Sequence, residues 1–469
     1  MSYYKQIFPL IRSWGVTGLL VEYEDMFPYS GDLRDLAAPN VYNELEIQQF
    51  LDLAEENELI VIPLVQTFGH FEFVLKHEAF CHLRELPMYP MTLCPSNEGS
   101  LEVVRQMVDQ VLRLHPDAKW FHIGADEVFH IGFCEACERV MKAEGITKTQ
   151  MFFRHIRRVL EYITVKYPGT RLIMWDDMFR DVDLEVIKES GVGELVEPMV
   201  WFYQQSTLLP QDMWDRYSQV FSSLWVASAF KGATGPRMIV VDTGYHIENH
   251  RSWLQVVQDQ KSRFSNFRGY TLTGWQRYDH FAVLCELLPV ALPCLALCLL
   301  TLDNGAFTEL VHKTASMDLG FAGLIPLNPF QSPGVVPACS FPGSGVYVCM
   351  QTLLQLNSEY TRFMDSDRIH CWMTPYQVEH NNTNPAHLNH ILIQGQQLLL
   401  SFQQLHNDLQ VALLDTFYPI TVDEWLVTNF ATKLKELTGI VTTAEKQMVR
   451  GGKPNSCTAS FNSVETNIP

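Results

Sequence analysis

FHIGADEVFHIG, residues 121–132, carries strand character through Trp120, Phe121 and Ile123 as far as Gly124, then sets two acids side by side, Asp126 and Glu127, where the sequence turns polar. Successive strand side chains point to opposite faces, so neighbouring acids can share one ligand only where the strand is ending. Gly124 permits the bend this needs. Acids at the C-terminal tip of a strand in an alternating βα chain are where barrel enzymes keep their chemistry. An isolated Asp-Glu pair is more often a solvated turn, so the surrounding stretches have to decide.

Working outward, the same pattern repeats. Residues 3–14 have Ile7, Leu10, Ile11 and Trp14 at helical spacing and close on Gly15. GLLVEYED (18–25) reads as a strand ending in acids before a Phe27-Pro28-Tyr29 turn, 41–57 as an amphipathic helix, and LIVIPLVQTFGH (59–70) as a buried strand tipped by Gly69 and His70. After helices at 100–114 and 151–167, RLIMWDDM (171–178) is a strand ending in Trp175, Asp176 and Asp177. Further strands are expected within 195–203, 223–233 and 268–279. Continuous apolar strands separated by helices indicate a parallel sheet covered on both faces. With 120–123 this makes seven strands, one fewer than a closed (β/α)8 TIM barrel needs, and the chain opens in the helix that would follow a first strand.

The expected organisation is a (β/α)8-type catalytic barrel over 1–335 that lacks its first strand, a helical region over 344–440, and a disordered tail over 441–469. Pro/Gly-rich sequence at 321–345 separates the first two, and long helical patterns at 346–363, 387–414 and 422–437 make up the second. Residues 287–302 are uncharged but short for a bilayer and contain Pro289 and Pro293, which predicts a buried helix with a Pro-broken start and no membrane span.

A formal charge of −19 and the lack of any Lys/Arg run argue against nucleic acid as a partner. An apolar fraction of 47% with 28 Phe and 10 Trp supplies a large core. The N-terminal sequence lacks a basic segment followed by an apolar one, and eleven cysteines without regular spacing suit a reducing compartment, so a cytoplasmic or nuclear location is expected.

Strand tips of a barrel converge on one mouth, and here they present Asp25, His70, Asp126, Glu127, Trp175, Asp176, Trp201 and Trp275. Acids beside a ring of tryptophans form a sugar site, with aromatic faces covering the C–H face of a pyranose and carboxylates taking its hydroxyls.

HIGADE resembles the H-x-G-x-D-E signature of family 20 glycoside hydrolases, the β-N-acetylhexosaminidases. The order of the other tips is similar to that family: the acid-x-Phe-Pro-Tyr loop at 25–29, Gly69-His70, Trp175-Asp176-Asp177, and Trp275-x-x-Tyr278. VQTFGHFEFVLKH, MWDDM, ASAFKGATGP and LTGWQRYDH add to the likeness, which runs from residue 3 to the end of the helical region. The resemblance implies release of terminal non-reducing β-linked GalNAc or GlcNAc from glycoconjugates without a cofactor or metal, through attack by the substrate's own 2-acetamido oxygen. It makes Glu127 the acid and then the base, and Asp126 the partner of the acetamido N–H. An acid that must hold its proton near neutrality needs a close anion or partial burial, and Asp126 can supply the anion. His70 would link Glu127 to the acid on the second barrel strand, either Glu24 or, preferred here, Asp25. Trp175, Asp176, Trp201, Tyr203, Trp275 and Tyr278 would hold the sugar. A homodimer is compatible with the resemblance.

This sequence departs from the family in three places. Phe230-Lys231-Gly232 stands where relatives carry a Tyr for the acetamido oxygen, which leaves Tyr203 as the substitute. Trp275-Gln276-Arg277-Tyr278 replaces an acid by a cation and leaves a galacto preference open. The absent first strand raises the alternative of an impaired, sugar-binding or dimerising form. A metal-dependent hydrolase built on His70, His122, His130 and Asp126 is the other rival. Cys134-x-x-Cys137, lacking a second such pair, reads as a chance spacing.

Overall fold

A computed structural model of the chain describes residues 1–331, 334 and 337–450. Seven parallel strands follow one another across a single sheet: β1 (Gly18–Glu22), β2 (Ile60–Leu64), β3 (Trp120–His122), β4 (Arg171–Trp175), β5 (Val196–Trp201), β6 (Ser223–Lys231) and β7 (Asn266–Gly274). They make a nearly closed barrel with β1 and β7 as its edges, as the seven apolar runs predict.

Strand alternation sorts the side chains into two layers. Ile62, Leu64, Ile173, Trp175, Met199 and Ala227 fill the barrel interior, with Leu20, Trp120, Trp201, Trp225 and Trp275 against them. Their neighbours Phe121, Leu172, Met174, Val200 and Val226 face outward and join Val104, Met107, Val111, Phe152, Ile156 and Leu160 of the covering helices. Both faces are buried, so the strands read as unbroken apolar runs.

Local signals set the helix boundaries. Asn43 caps Glu44–Glu56 reciprocally with Glu46, and Thr147 caps Lys148–Lys166 with Gln150, so each start satisfies two otherwise orphaned amides. Leu288–Asn304 is buried as expected, but it accommodates both prolines: Pro289 sits in the first turn, where no amide is needed, and Pro293 lies inside the helix. Two features are absent from the sequence reading. Thr243–Gln260 buries His246, Asn249 and His250 on its core face, which interrupts the apolar period, and the antiparallel hairpin Arg84–Leu86/Tyr89–Leu93 is too short for a clear alternation.

The chain divides into two compact units, 1–329 with 337–344, and 330–336 with 345–469. In the second, Pro385–Leu414 packs along Pro419–Arg450. Leu388, Ile391, Leu398, Phe402, Leu405 and Leu409 are buried at helical spacing, and the Phe402 and Phe430 rings meet edge-on at 6.1 Å. The last helix continues to Arg450, beyond the point near 441 where disorder was expected. Buried Val441, Ala444 and Gln447 carry its core face through that stretch, and the rest of the expected tail, 451–469, lies outside the described residues.

Candidate active site

β3 ends at His122, and the chain then leaves extended geometry altogether: φ is +64° at Gly124, +69° at Ala125 and +49° at Glu127. Non-glycine residues in this region cost about 1–3 kcal/mol each and need outside support. Gln66 Oε1 accepts the Ala125 amide at 3.0 Å, and Asp177 Oδ2 accepts the Glu127 amide at 2.9 Å. The turn lets both acids face the same way. His70 Nε2 lies 3.0 Å from Glu127 Oε2 and 3.6 Å from Asp126 Oδ2. Asp126 is 8% exposed and also accepts from the Gln66 amide at 3.1 Å, whereas the Glu127 side chain is 39% exposed and open to a ligand.

Burial of the His70 ring works against its charge, but the Glu127 hydrogen bond and the nearby carboxylates of Asp126 and Glu72 outweigh it and push the imidazole up to about 10. Burial raises Asp126, with His70 and Gln66 pulling it back down. Glu22, at the inward tip of β1, is pushed up to about 8 by burial and then by Glu24 and Asp126. The site therefore crowds several carboxyls around one imidazolium.

The aromatic wall forms from alternate strand positions. Trp175, 1% exposed, lies in the barrel interior, edge-on to Trp275 at 6.0 Å and near His122 at 4.4 Å. Trp201 and Tyr203 rings are 5.1 Å apart, and Trp275 Nε1 donates to the Tyr203 hydroxyl at 2.8 Å. Tyr278 is 40% exposed, and its hydroxyl accepts from the Gly235 amide at 2.6 Å.

Two expected site residues point elsewhere. Asp176 is fully buried and faces the helices: Arg180 donates to it twice, at 2.6 and 2.7 Å, with Trp201 N at 3.2 Å and Tyr217 Oη at 3.0 Å. Alternation explains this, because Trp175 points inward and the next residue must point out. Asp25 does not continue the chain from Glu127 through His70. Lys76 Nζ donates to its Oδ2 at 3.2 Å, and His280 Nε2 stands 3.6 Å away. Because Lys76 also donates to His280 Nε2 at 2.7 Å, the ring's proton is on Nδ1, which donates to Glu24 at 2.9 Å. This cluster spans the mouth between the loops after β1 and β7.

The rival metal set does not assemble among the described residues. His122 accepts the Gly124 amide at 3.0 Å inside the barrel, and His130 stacks on Tyr89 at 4.8 Å.

The catalytic domain of glycosyl hydrolase family 20 matches residues 26–263. The chain is 42% identical over 450 residues to hexosaminidase D of Homo sapiens, covering 94% of this chain and 90% of that one, and 48% identical over 327 residues to hexosaminidase D of Bos taurus, covering 69% and 94%. This chain belongs to glycosyl hydrolase family 20. Among solved structures, a Flavobacterium johnsoniae chitobiase aligns with a TM-score of 0.43 at 12% identity, over 95% of this chain and 75% of that one.

In this family 20 site, sequence reasoning passed over Gln66, and it placed Asp177 at the strand tip but gave the sugar-holding role to Asp176. Asp177 points inward, accepts both the Glu127 amide and Trp201 Nε1 (3.1 Å), and is pushed up to about 7 by burial and by Asp126. A signal was present: Arg180 follows Asp176 by four positions, the spacing of an ion pair that occupies Asp176 and leaves Asp177 for the site. Buried Lys231, where a Tyr was expected, donates to the carbonyls of Gly274 and Trp275 and so positions the loop bearing Trp275. Arg277 donates to Ala282 O at 2.6 Å.

Proposed function

We propose that Asp126 and Glu127 share the work of hydrolysing terminal β-linked N-acetylhexosamine by substrate-assisted, retaining catalysis. One observation carries this reading: a single ring nitrogen of His70 faces both carboxylates, so the two adjacent acids address one space. The acetamido oxygen attacks C1 while the bond from C1 to the leaving oxygen breaks and Glu127 gives that oxygen its proton. Asp126 holds the acetamido N–H and balances the positive charge of the resulting oxazolinium. Water then adds to C1 as Glu127 takes its proton and the ring opens, and two displacements at C1 leave its configuration unchanged.

Trp201, Tyr203 and Trp275 form the pocket wall, Trp175 supports it from below, and the Tyr203 hydroxyl, which accepts from Trp275 and is also hydrogen-bonded to Thr273, is the group assigned here to the acetamido oxygen. Tyr278 borders the sugar. Neither Asp25 nor Asp176 touches it in this scheme, since both are engaged by cations.

The test is release of nitrophenol from nitrophenyl N-acetyl-β-hexosaminides by the wild type and Glu127→Gln. A loss of at least about a hundredfold is expected for removal of a positioned general acid. Equal rates, or an inverted anomer seen by proton NMR in the wild-type reaction, would overturn the assignment.

We also place the protein in a reducing compartment, cytosol or nucleus. The ten cysteines among the described residues form no disulfide, which suits this location. No helix among those residues is long and apolar enough to cross a membrane. Exposed Leu400, Val411 and Val427 on the long C-terminal helices support pairing with a second copy, which sedimentation of the purified chain would detect.

A further inference from the structure

We propose that Glu85, Cys94, Cys134 and Cys137 form a structural zinc site that anchors the far end of the loop carrying the two catalytic acids. One ligating atom from each lies within 4.8 Å of all the others. Cys94 Sγ is 3.4 Å from Cys134 Sγ and 3.7 Å from Cys137 Sγ, and Cys137 Sγ is 3.1 Å from Glu85 Oε2. A tetrahedral zinc ion with bonds of about 2.3 Å to sulfur and about 2.0 Å to oxygen places its sulfurs about 3.8 Å apart and sulfur and oxygen about 3.5 Å apart. These three separations lie within about 0.4 Å of that geometry, and the other three are below 4.8 Å.

The surroundings orient these groups as ligands. Glu85 is fully buried, and its Oε1 accepts the amides of Phe133 and Cys134 at 2.6 and 2.9 Å, which turns Oε2 toward the thiols. Among the described residues this carboxylate is bonded by two amides and a thiol, with no cationic side chain, and a buried charge so placed is costly without a counter-ion. Ser96 Oγ donates to Cys137 Sγ at 3.1 Å and the Cys137 amide donates to Cys134 Sγ at 3.3 Å, contacts that fix the direction of ligating sulfurs. A disulfide could join only two of the three sulfurs and would leave the third beside a buried carboxylate.

The chance reading of Cys134-x-x-Cys137 fails because the remaining ligands come from elsewhere. Glu85 lies in the hairpin Arg84–Leu86/Tyr89–Leu93, Cys94 directly follows it, and Cys134 caps the helix Glu135–Glu144. Cys134 follows Glu127 by seven positions, so the ion would tie down the segment that must hold Glu127 at positive φ. Four protein ligands leave no open position, which makes the role structural and not catalytic. Binding releases the three thiol protons to solvent and transfers no electrons.

The test measures zinc by mass spectrometry in the full chain, purified without chelator after growth in zinc-supplemented medium. About one equivalent is expected in the wild type and in Cys371→Ser, whose exposed thiol lies in the other unit, and under about a tenth in Cys94→Ser/Cys137→Ser. Cobalt titration of metal-stripped wild type, which does not depend on a variant folding, should produce sulfur-to-cobalt charge-transfer absorption. A wild type that holds no zinc and shows no such band, a Cys94–Cys134 disulfide in its place, or full zinc content in the double variant would overturn the proposal.

Discussion

Asp177→Asn isolates the residue that holds Glu127, the proposed acid, by its backbone amide. Its two carboxylate oxygens each accept one hydrogen bond, from the Glu127 amide at 2.9 Å and from Trp201 Nε1 at 3.1 Å. An amide keeps only one acceptor and turns an NH2 group toward the other donor. Leaving one buried donor unmatched costs about 1–3 kcal/mol. If the Glu127 amide loses its partner, only the His70 contact to its side chain and the Phe129 amide on its carbonyl remain to hold φ +49° against a relaxed backbone worth about 1–3 kcal/mol. Displacing a reacting group by about 1 Å lowers the rate on the order of a hundredfold. If Trp201 loses it, the pocket wall loosens and KM rises instead. The assay is kcat and KM on a nitrophenyl N-acetyl-β-hexosaminide, with thermal unfolding recorded alongside. A drop in kcat of at least about tenfold, or a comparable rise in KM, with the main transition kept, is expected. Both constants within about threefold of wild type would refute the reasoning, because neither partner would then depend on this carboxylate.

Three further outcomes follow from the same geometry. Asp176→Asn removes the charge facing Arg180 from a buried carboxylate whose partner is 16% exposed and should lower stability by about 3–5 kcal/mol, read as a fall in the unfolding transition, whereas an unchanged transition would remove this ion pair from the account of stability. Gly69→Ala should cost about 1–3 kcal/mol and reduce kcat at least about tenfold, because a Cβ there collides with the backbone carbonyl of Asp126 and cannot be relieved by turning a side chain; wild-type kinetics would count against the close approach. The His70 pKa is raised above its ordinary 6.5 to about 10, so the stabilisation it provides is complete below about pH 6.5 and is lost as pH rises through about 10. His70→Gln should therefore destabilise the protein more at about pH 6 than above about pH 10 in urea unfolding, and a penalty independent of pH would remove the charged pair from the account.

The barrel was legible because its strands are covered on both faces and read as apolar runs, and the acids were legible because a glycine ends β3 just before them. What escaped depended on direction. Asp176 and Asp177 are equivalent by composition, and the inward facing of Trp175, together with Arg180 four positions after Asp176, assigns the outer role to one and the inner to the other. Asp25 sits at the correct strand tip, yet Lys76 and His280 reach it from other loops, and no local pattern announces contacts between residues 25 and 280. The helix Thr243–Gln260 hid because it buries two histidines and an asparagine where periodicity looks for aliphatics. Glu85 and Cys94 carry no spacing relation to Cys134-x-x-Cys137, so a search by interval passes over them.

The gap between β1 and β7 is closed at the mouth by Glu24, Asp25, Lys76 and His280 and not by a ladder of main-chain bonds. Contacts of this kind near solvent weaken as ionic strength rises, while the six paired strand interfaces do not respond in that way. One flank of the rim thus rests on side-chain charge contacts where the other flanks rest on main-chain ladders.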